Sequence, residues 1–348
     1  MREHSRTRSG ARNRPISYQN PQSIQYSKDL TKDSYSNINL DNTFYVLKTS
    51  DNILYLIYAT ENKSIIFYNL ANEQKVNEIQ NAHENFITNF RYYYDKNNKI
   101  DILMSISGED HNIKLWNIGN QKCLHDIKNV NKSGFLNSAC LLYDNNQYYI
   151  VTSDVDYSGN PEPIKIFDLN GNKLKEIKDS QDDVLFIDTY YDKKSSKIYI
   201  IAGTNGQIKS YDYKENKLYK CYKDKENNSD HKSIIIDDRE DVVKMIESSE
   251  DGKVRVWNFL SGDLLTTINV SDKALYGLCL WNKDNVFVGS EDKSLKLVDL
   301  KAGKVTKELT GHTNDVITIL KVTHPQLGEC LVSQGWVYDQ IKLWVIKN

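Results

Sequence analysis

The sequence predicts an all-β chain folded as a seven-bladed β-propeller, and three observations carry that reading. Seven short segments share one order, apolar, basic or apolar, apolar, aromatic, Asn or Asp, apolar, and begin 41 to 51 residues apart. Each is followed by a short turn and another apolar run, and preceded by two more, so four strand-length stretches recur per unit with no helical period. A small four-stranded sheet cannot cover both of its faces, and stacking neighbours around an axis supplies the missing cover. Composition agrees. Apolar residues are only 39% of the 348, below the roughly 45–50% of ordinary globular chains, which suits several thin interfaces rather than one deep core. Tyr is abundant at 23 while Gly and Pro number 16 and 5, so Asn is expected to take turn positions that Gly would otherwise fill.

Taken in chain order, residues 1–22 read as a disordered basic tail: Arg2, Arg6, Arg8, Arg12 and Arg14 stand against one acid, Glu3. The tail has no apolar core of a secretory signal and no apolar face of a mitochondrial presequence. It is the single route to nucleic acid that the sequence offers, and Ser9, after Arg6-Thr-Arg8, would be its phosphorylation switch. Residues 23–348 then form one propeller. Only four residues follow Trp344, leaving the seventh blade no room for its own outer strand, and an open edge invites aggregation. Lys28-Asp-Leu-Thr31 echoes Lys307-Glu-Leu-Thr310, so a strand within 23–40 is expected to close that blade, with the repeats proper starting near Thr43.

The seven segments begin at Ile65, Ile113, Ile164, Ile208, Val254, Leu295 and Ile341, and their aromatic slots hold Tyr68, Trp116, Phe167, Tyr211, Trp257, Val298 and Trp344. Five residues after the slot come Gln121, Asn172, Asn216, Gly262 and Gly303, types that tolerate the left-handed conformation of a tight hairpin. The chain turns apolar again at Cys123, Leu174, Leu218, Leu264 and Val305, while the hairpin after Tyr68 is one residue longer and reaches Val76. Tyr92, Tyr93 and Tyr94 cannot share one face of a strand, and are expected to pack between blades and at a loop.

These residues resemble the WD40 repeat family over roughly residues 40 to 348. The last repeat shows it best, with Gly311-His312, then NDVITILKV, CLVSQG and QIKLW ending at Trp344; a second runs from His83 through SGEDHNIKLW to Trp116. The Trp-Asp dipeptide itself is absent: Trp116 and Trp257 precede Asn, and Trp344 precedes Val. The resemblance implies a buried network of a His before the first strand, a Ser or Thr on the second, an Asp in the next turn and the Trp on the third. A buried indole N–H needs an acceptor and a buried carboxylate needs donors. His83, Asp110 and Trp116, then His231, Asp251 and Trp257, then His312, Asp339 and Trp344 fill these roles, with Asp339 one position closer to its Trp; Asp292 holds the turn position in repeat six.

No Gly-rich phosphate loop, HExxH, G-x-S-x-G or metal-spaced Cys/His cluster occurs. Asp154-Val-Asp156-Tyr-Ser158-Gly159 opens like a calcium loop, but Lys165 stands where the bidentate Glu belongs, so a polar turn stiffened by Pro161 and Pro163 is expected. His111 and His324 fall in predicted loops. The innermost strands read VITIL, LYGLCL, VLFIDTY and FLNSACL, with Asp188 the main ionisable exception. Five cysteines, odd in number and without a C-x-x-C pair, read as reduced thiols. Lys plus Arg number 45 against 47 for Asp plus Glu, a net −2, so no whole-chain field draws nucleic acid, and no apolar run is long enough to span a bilayer.

The expected function is a non-catalytic protein–protein interaction scaffold, intracellular and cytoplasmic, with the nucleus or a cytoskeletal assembly as other settings, and without cofactor or metal. Its partner would be a protein or peptide; nothing indicates a homo-oligomer. By resemblance, partners meet the face bearing the His-containing loops, where Asn85, Ser133, Asp182, Lys273 and Asn314 precede the first strands. Two alternatives stand beside this, an enzyme with its site in the central channel and a ubiquitin-ligase substrate receptor. The receptor is weakened because Gly119, Leu260 and Ile346-Lys347 stand where its signature Arg belongs. A G-protein β subunit would need an N-terminal heptad helix, and a phosphoinositide-binding propeller an FRRG motif; both are missing from the sequence.

Overall fold

The computed structural model describes residues 23–30, 44–128, 130, 135–155, 163–178, 184–204, 206–225, 229–336 and 339–347. Among them, seven four-stranded antiparallel sheets form the ring, each sheet being one blade. Blade one runs Phe44–Lys48, Leu54–Ala59, Ile65–Asn69 and Gln74–Ile79 from the axis to the rim, in sequence order, and blades two to six repeat this order. Each of the seven anticipated segments is the third strand of its blade, from Ile65–Asn69 to Ile341–Lys347.

Seven apolar clusters lie one at each junction between successive blades, including the junction of blade seven with blade one. Strand alternation builds them. On the inner strand of blade two, Ile87–Asp95, Tyr92 packs into the cluster shared with blade one, whereas Tyr93 faces blade three and meets Tyr148 with the rings tilted and their centroids 4.3 Å apart. The register slips by one residue at or just before the aromatic slot in blades one to six. Such a bulge increases twist and turns the aromatic toward the neighbouring blade. The turns that follow hold their left-handed residues at Glu73, Gln121, Asn216, Gly262 and Gly303. Blade three departs from the expectation at Asn172. There Gly171 takes the positive φ, and the Asp168 carboxylate gathers the Asn170 and Asn172 N–H groups into a shorter turn.

Each third strand also carries a basic residue two positions before its aromatic slot, except in blade one. In blades two, three, six and seven this base lies directly across from an acid on the outer strand: Lys114 from Asp126, Lys165 from Glu176, Lys296 from Glu308 and Lys342 from Asp29. Lys296 and Lys342 are buried and meet their acids at 2.8 and 2.7 Å. The acid is what makes burying the ammonium tolerable. In blade one the base is replaced by Ile66, and the facing Glu78 is held instead by Lys75 on its own strand.

The Lys28-Asp-Leu echo now has a chemical meaning. Ser23–Asp29 pairs antiparallel with Ile341–Lys347 and completes blade seven. Asp29 serves Lys342 as Glu308 serves Lys296, and Leu30 is buried between blades seven and one as Leu309 is between six and seven. Tyr26 meets Trp344 edge-on at 5.8 Å, and Leu30 N–H bonds the Ile341 carbonyl. His324, expected in a loop, ends the inner strand of blade seven and is buried; its Nε2 donates to the Leu70 carbonyl at 2.9 Å, a second tie between the first and last blades.

Removing residues 1–30 is expected to lower the melting temperature sharply and broaden the transition, while removing 1–20 leaves it within a few degrees. Leu30→Ala in the intact chain is expected to cost about 2–4 kcal/mol in denaturant unfolding. Unchanged melting without residues 1–30 would show that the closing strand adds nothing.

Candidate functional site

The loops entering each inner strand and the turns between second and third strands share one face of the ring, because the same contacts join them. In blade two, His83 Nδ1 lies 3.2 Å from Asp110 Oδ2, and its Nε2 2.7 Å from Ser105 Oγ, to which Trp116 Nε1 donates at 2.8 Å. Blade seven repeats this with His312, Asp339, Ser333 and Trp344 at 2.8, 2.6 and 2.7 Å. The donors follow in part from the partners. A carboxylate only accepts, so Nδ1 donates to the aspartate, and the serine Oγ takes the indole N–H while meeting Nε2 of the same histidine. The carboxylate also gathers the loop backbone: Asp339 accepts the N–H groups of Thr313, Asn314 and Gln340. These loops are thereby fixed to the second and third strands.

Burial alone would raise the Asp339 carboxyl, but the hydrogen bond and charge of His312, with the backbone N–H groups, outweigh it and bring it down to about 2.

Blade five is built differently. The position that faces the third-strand base is Ser105 in blade two and Ser333 in blade seven, but Glu247 in blade five. Glu247, His231 and Arg255 are all fully buried. His231 Nδ1 comes within 3.1 Å of Glu247 Oε2 but is misaligned for a hydrogen bond, and Trp257 Nε1 has no hydrogen-bond acceptor. Asp251, expected beside His231, is taken by Arg255, which also binds Asp224 at 2.7 Å and lies 3.6 Å from Glu247. The histidine, aspartate and tryptophan of blade five therefore do not form the network seen in blades two and seven. Burial works against ionised Asp251, but Arg255 outweighs it and holds the carboxyl below its ordinary range. In blade six, Asp292 binds Ser294 at 2.5 Å and Lys296 at 2.9 Å, with no histidine in reach of these bonds.

Of the five loop residues proposed from sequence, Ser133 and Asp182 lie outside the described residues, as does most of the calcium-like stretch after Val155. Asn85 and Asn314 are half-buried and spend their side-chain oxygens on the next residue's N–H; Lys273 is exposed, 3.5 Å from Glu291. A further side chain on this face lies outside every strand pattern. Trp336, 41% exposed, stands on this face beside the Asn314 loop, its N–H bonded to the Asp315 carbonyl. Its one signal was a tryptophan outside every strand pattern.

Trp336 also lines the central channel, a cavity of about 470 Å³ that reaches Tyr276, Lys232, Arg91 and Asp188 on four inner strands. Confinement by the surrounding protein raises the Asp188 carboxyl, with Arg91 opposing. Arg91 and Lys232 are ionisable neighbours of the channel that were not anticipated. Burial, then Asp315, pushes the Tyr276 phenol up to about 12. Among the described residues no three His, Cys, Asp or Glu side chains converge as a metal site would require, and all five cysteines are free.

The repeated sheets define a propeller built from sequence repeats. No known family's sequence profile matches the chain. Over 70 residues, 20% of its length, the chain is 29% identical to the U3 small nucleolar RNA-associated protein 21 homolog of Schizosaccharomyces pombe, and the match spans 8% of that protein. No described helix is long and apolar enough to cross a membrane.

The lowered Asp339 carboxyl fixes the sign of one pH effect. Its contribution, about 2 kcal/mol, is fully present above the ordinary value of 3.8 and is lost as pH falls through about 2. Asp339→Asn is expected to flatten that segment of the stability profile measured by urea titration. In blade five, Arg255→Ala leaves Glu247, Asp251 and Asp224 uncompensated and is expected to cost about 3–5 kcal/mol; a loss under about 1 kcal/mol would mean that water already satisfies these acids.

Proposed function

We propose that this chain is a divergent WD40-type propeller that acts as a non-catalytic scaffold, holding a protein or peptide on the face where the histidine-bearing loops and Trp336 meet. The observation that carries this reading is Trp336: a large aromatic left 41% exposed at the channel mouth, on loops otherwise clamped by buried hydrogen bonds. Exposed tryptophans on rigid supports are the usual energetic centres of protein interfaces. Around it Lys232 pairs with Asp230 and Glu250, and Lys273 with Glu291. This mixed rim suits a polar protein surface better than a phosphate backbone.

Membership of a larger assembly, inside the cell and in the nucleus, is supported by the similarity to a protein named as small nucleolar RNA-associated. An enzymatic channel would have to rest on Asp188 with Arg91, Lys232 and Tyr276, and no histidine or second carboxylate stands among the described lining residues; a ubiquitin-ligase receptor role gains no added support.

The test is quantitative affinity capture from the native cell with wild type, Trp336→Ala, Lys273→Glu and, on the opposite face, Lys214→Glu. Trp336→Ala is expected to weaken the main captured partner about thirtyfold or more, the effect of losing about 2 kcal/mol, with Lys214→Glu neutral. A capture profile indifferent to both Trp336 and Lys273 would refute the assigned face.

A further inference from the structure

We propose that the outer strand of blade five, Leu264–Asn269, is a self-association edge through which two copies of the chain pair as one continuous antiparallel sheet. Every outer strand leaves one row of backbone N–H and C=O groups unpaired at the rim, and charged side chains are the ordinary defence against strand addition there. Six outer strands carry that defence, with Lys75, Asp126, Lys175, Lys220, Lys307 and Lys28 in blades one, two, three, four, six and seven. The strand of blade five reads LLTTIN and has none.

The loss of charge has a cause in the blade. Thr267 occupies the place from which Asp126, Glu176, Glu308 and Asp29 face the third-strand base. Here that base, Arg255, points inward to Asp224 and Asp251, so no acid is needed on the rim. What remains on the strand is apolar and β-branched: Leu264 is 38% and Leu265 48% exposed, and Leu265 borders a shallow depression that holds Val242, itself 42% exposed, among charged side chains of both signs such as Lys194, Arg239, Asp241 and Lys244.

A second copy fits this edge because the strand is complementary to itself. A two-fold axis perpendicular to the sheet keeps each face on its own side, so residues pair with others of the same face. With Thr266 on the axis, Leu264 meets Ile268 and Leu265 meets Thr267 of the second copy. Asp263 then reaches the end of the other strand beside Asn269, where Lys253 lies across the sheet. No like charges face each other, whereas the same pairing of Lys173–Ile177 would set Lys175 against itself. The rim of a ring is convex, so two rings meet along one strand without other contacts. The interface is therefore small and the association weak.

The experiment is sedimentation velocity of the full chain across a concentration series. Wild type is expected to pass from monomer to dimer with a Kd of about 1–100 µM, as a small interface gives. Thr267→Glu restores the acid present on the other rims; it lies opposite or diagonal to its own copy whichever threonine sits on the axis. It is expected to melt no lower than wild type and to raise the Kd at least tenfold. Leu265→Lys is expected to do the same, and Lys304→Glu on blade six to leave the Kd unchanged. A wild-type chain monomeric at about 500 µM, or a dimer indifferent to both blade-five variants, overturns the proposal; the first result would leave the strand for a segment of another protein.

Discussion

A buried base on the third strand must find an acid, and much of the chain's chemistry follows from where that acid stands. A desolvated ammonium or guanidinium unpaired would cost more than a blade's thin interface returns. In blade six the acids come from the turn and the rim, Asp292 and Glu308 around Lys296; in blade seven Asp29 arrives from the far end of the sequence to meet Lys342. Closure of the ring is thus written in the same chemistry as each blade. The N-terminal strand supplies an edge, an acid and, in Leu30, an apolar plug.

Blade five solves the same problem inward. Arg255 gathers Asp224 and Asp251, with Glu247 where blades two and seven keep a serine. The consequence reaches both ways from the base. On the inside, His231 and Trp257 lose the shared serine that aligns their counterparts. On the outside, the rim strand is released from carrying charge. In blades two and seven the histidine and its aspartate clamp the loops instead, which is what makes that face rigid enough to present Trp336.

Much of this was legible in the residues. The seven third strands, their spacing and the turn types after them stand in the sequence, because side-chain period and turn chemistry are local properties. The closing strand was legible, within residues 23–40, from the echo of Lys307 to Thr310 in Lys28 to Thr31. Other features were not. Asn172 and Gly171 are both competent for positive φ, and only the hydrogen bonds to Asp168 decide between them. Asp251 sits at the spacing of Asp110, yet its partner is Arg255, because the choice depends on which residue of the second strand faces the base. Trp336 belongs to no strand pattern, and its place at the channel mouth needs seven strands brought around one axis.

Residue order by itself determined the class of fold, the number of blades and the strand that closes the last one, since each rests on patterns within about 50 residues or on one repeated phrase. Only the tertiary structure decided which polar groups satisfy one another, which face carries the exposed tryptophan and which rim is left without charge. Those outcomes depend on distances between strands far apart in sequence. Desolvation, not local preference, ranks the partners available there.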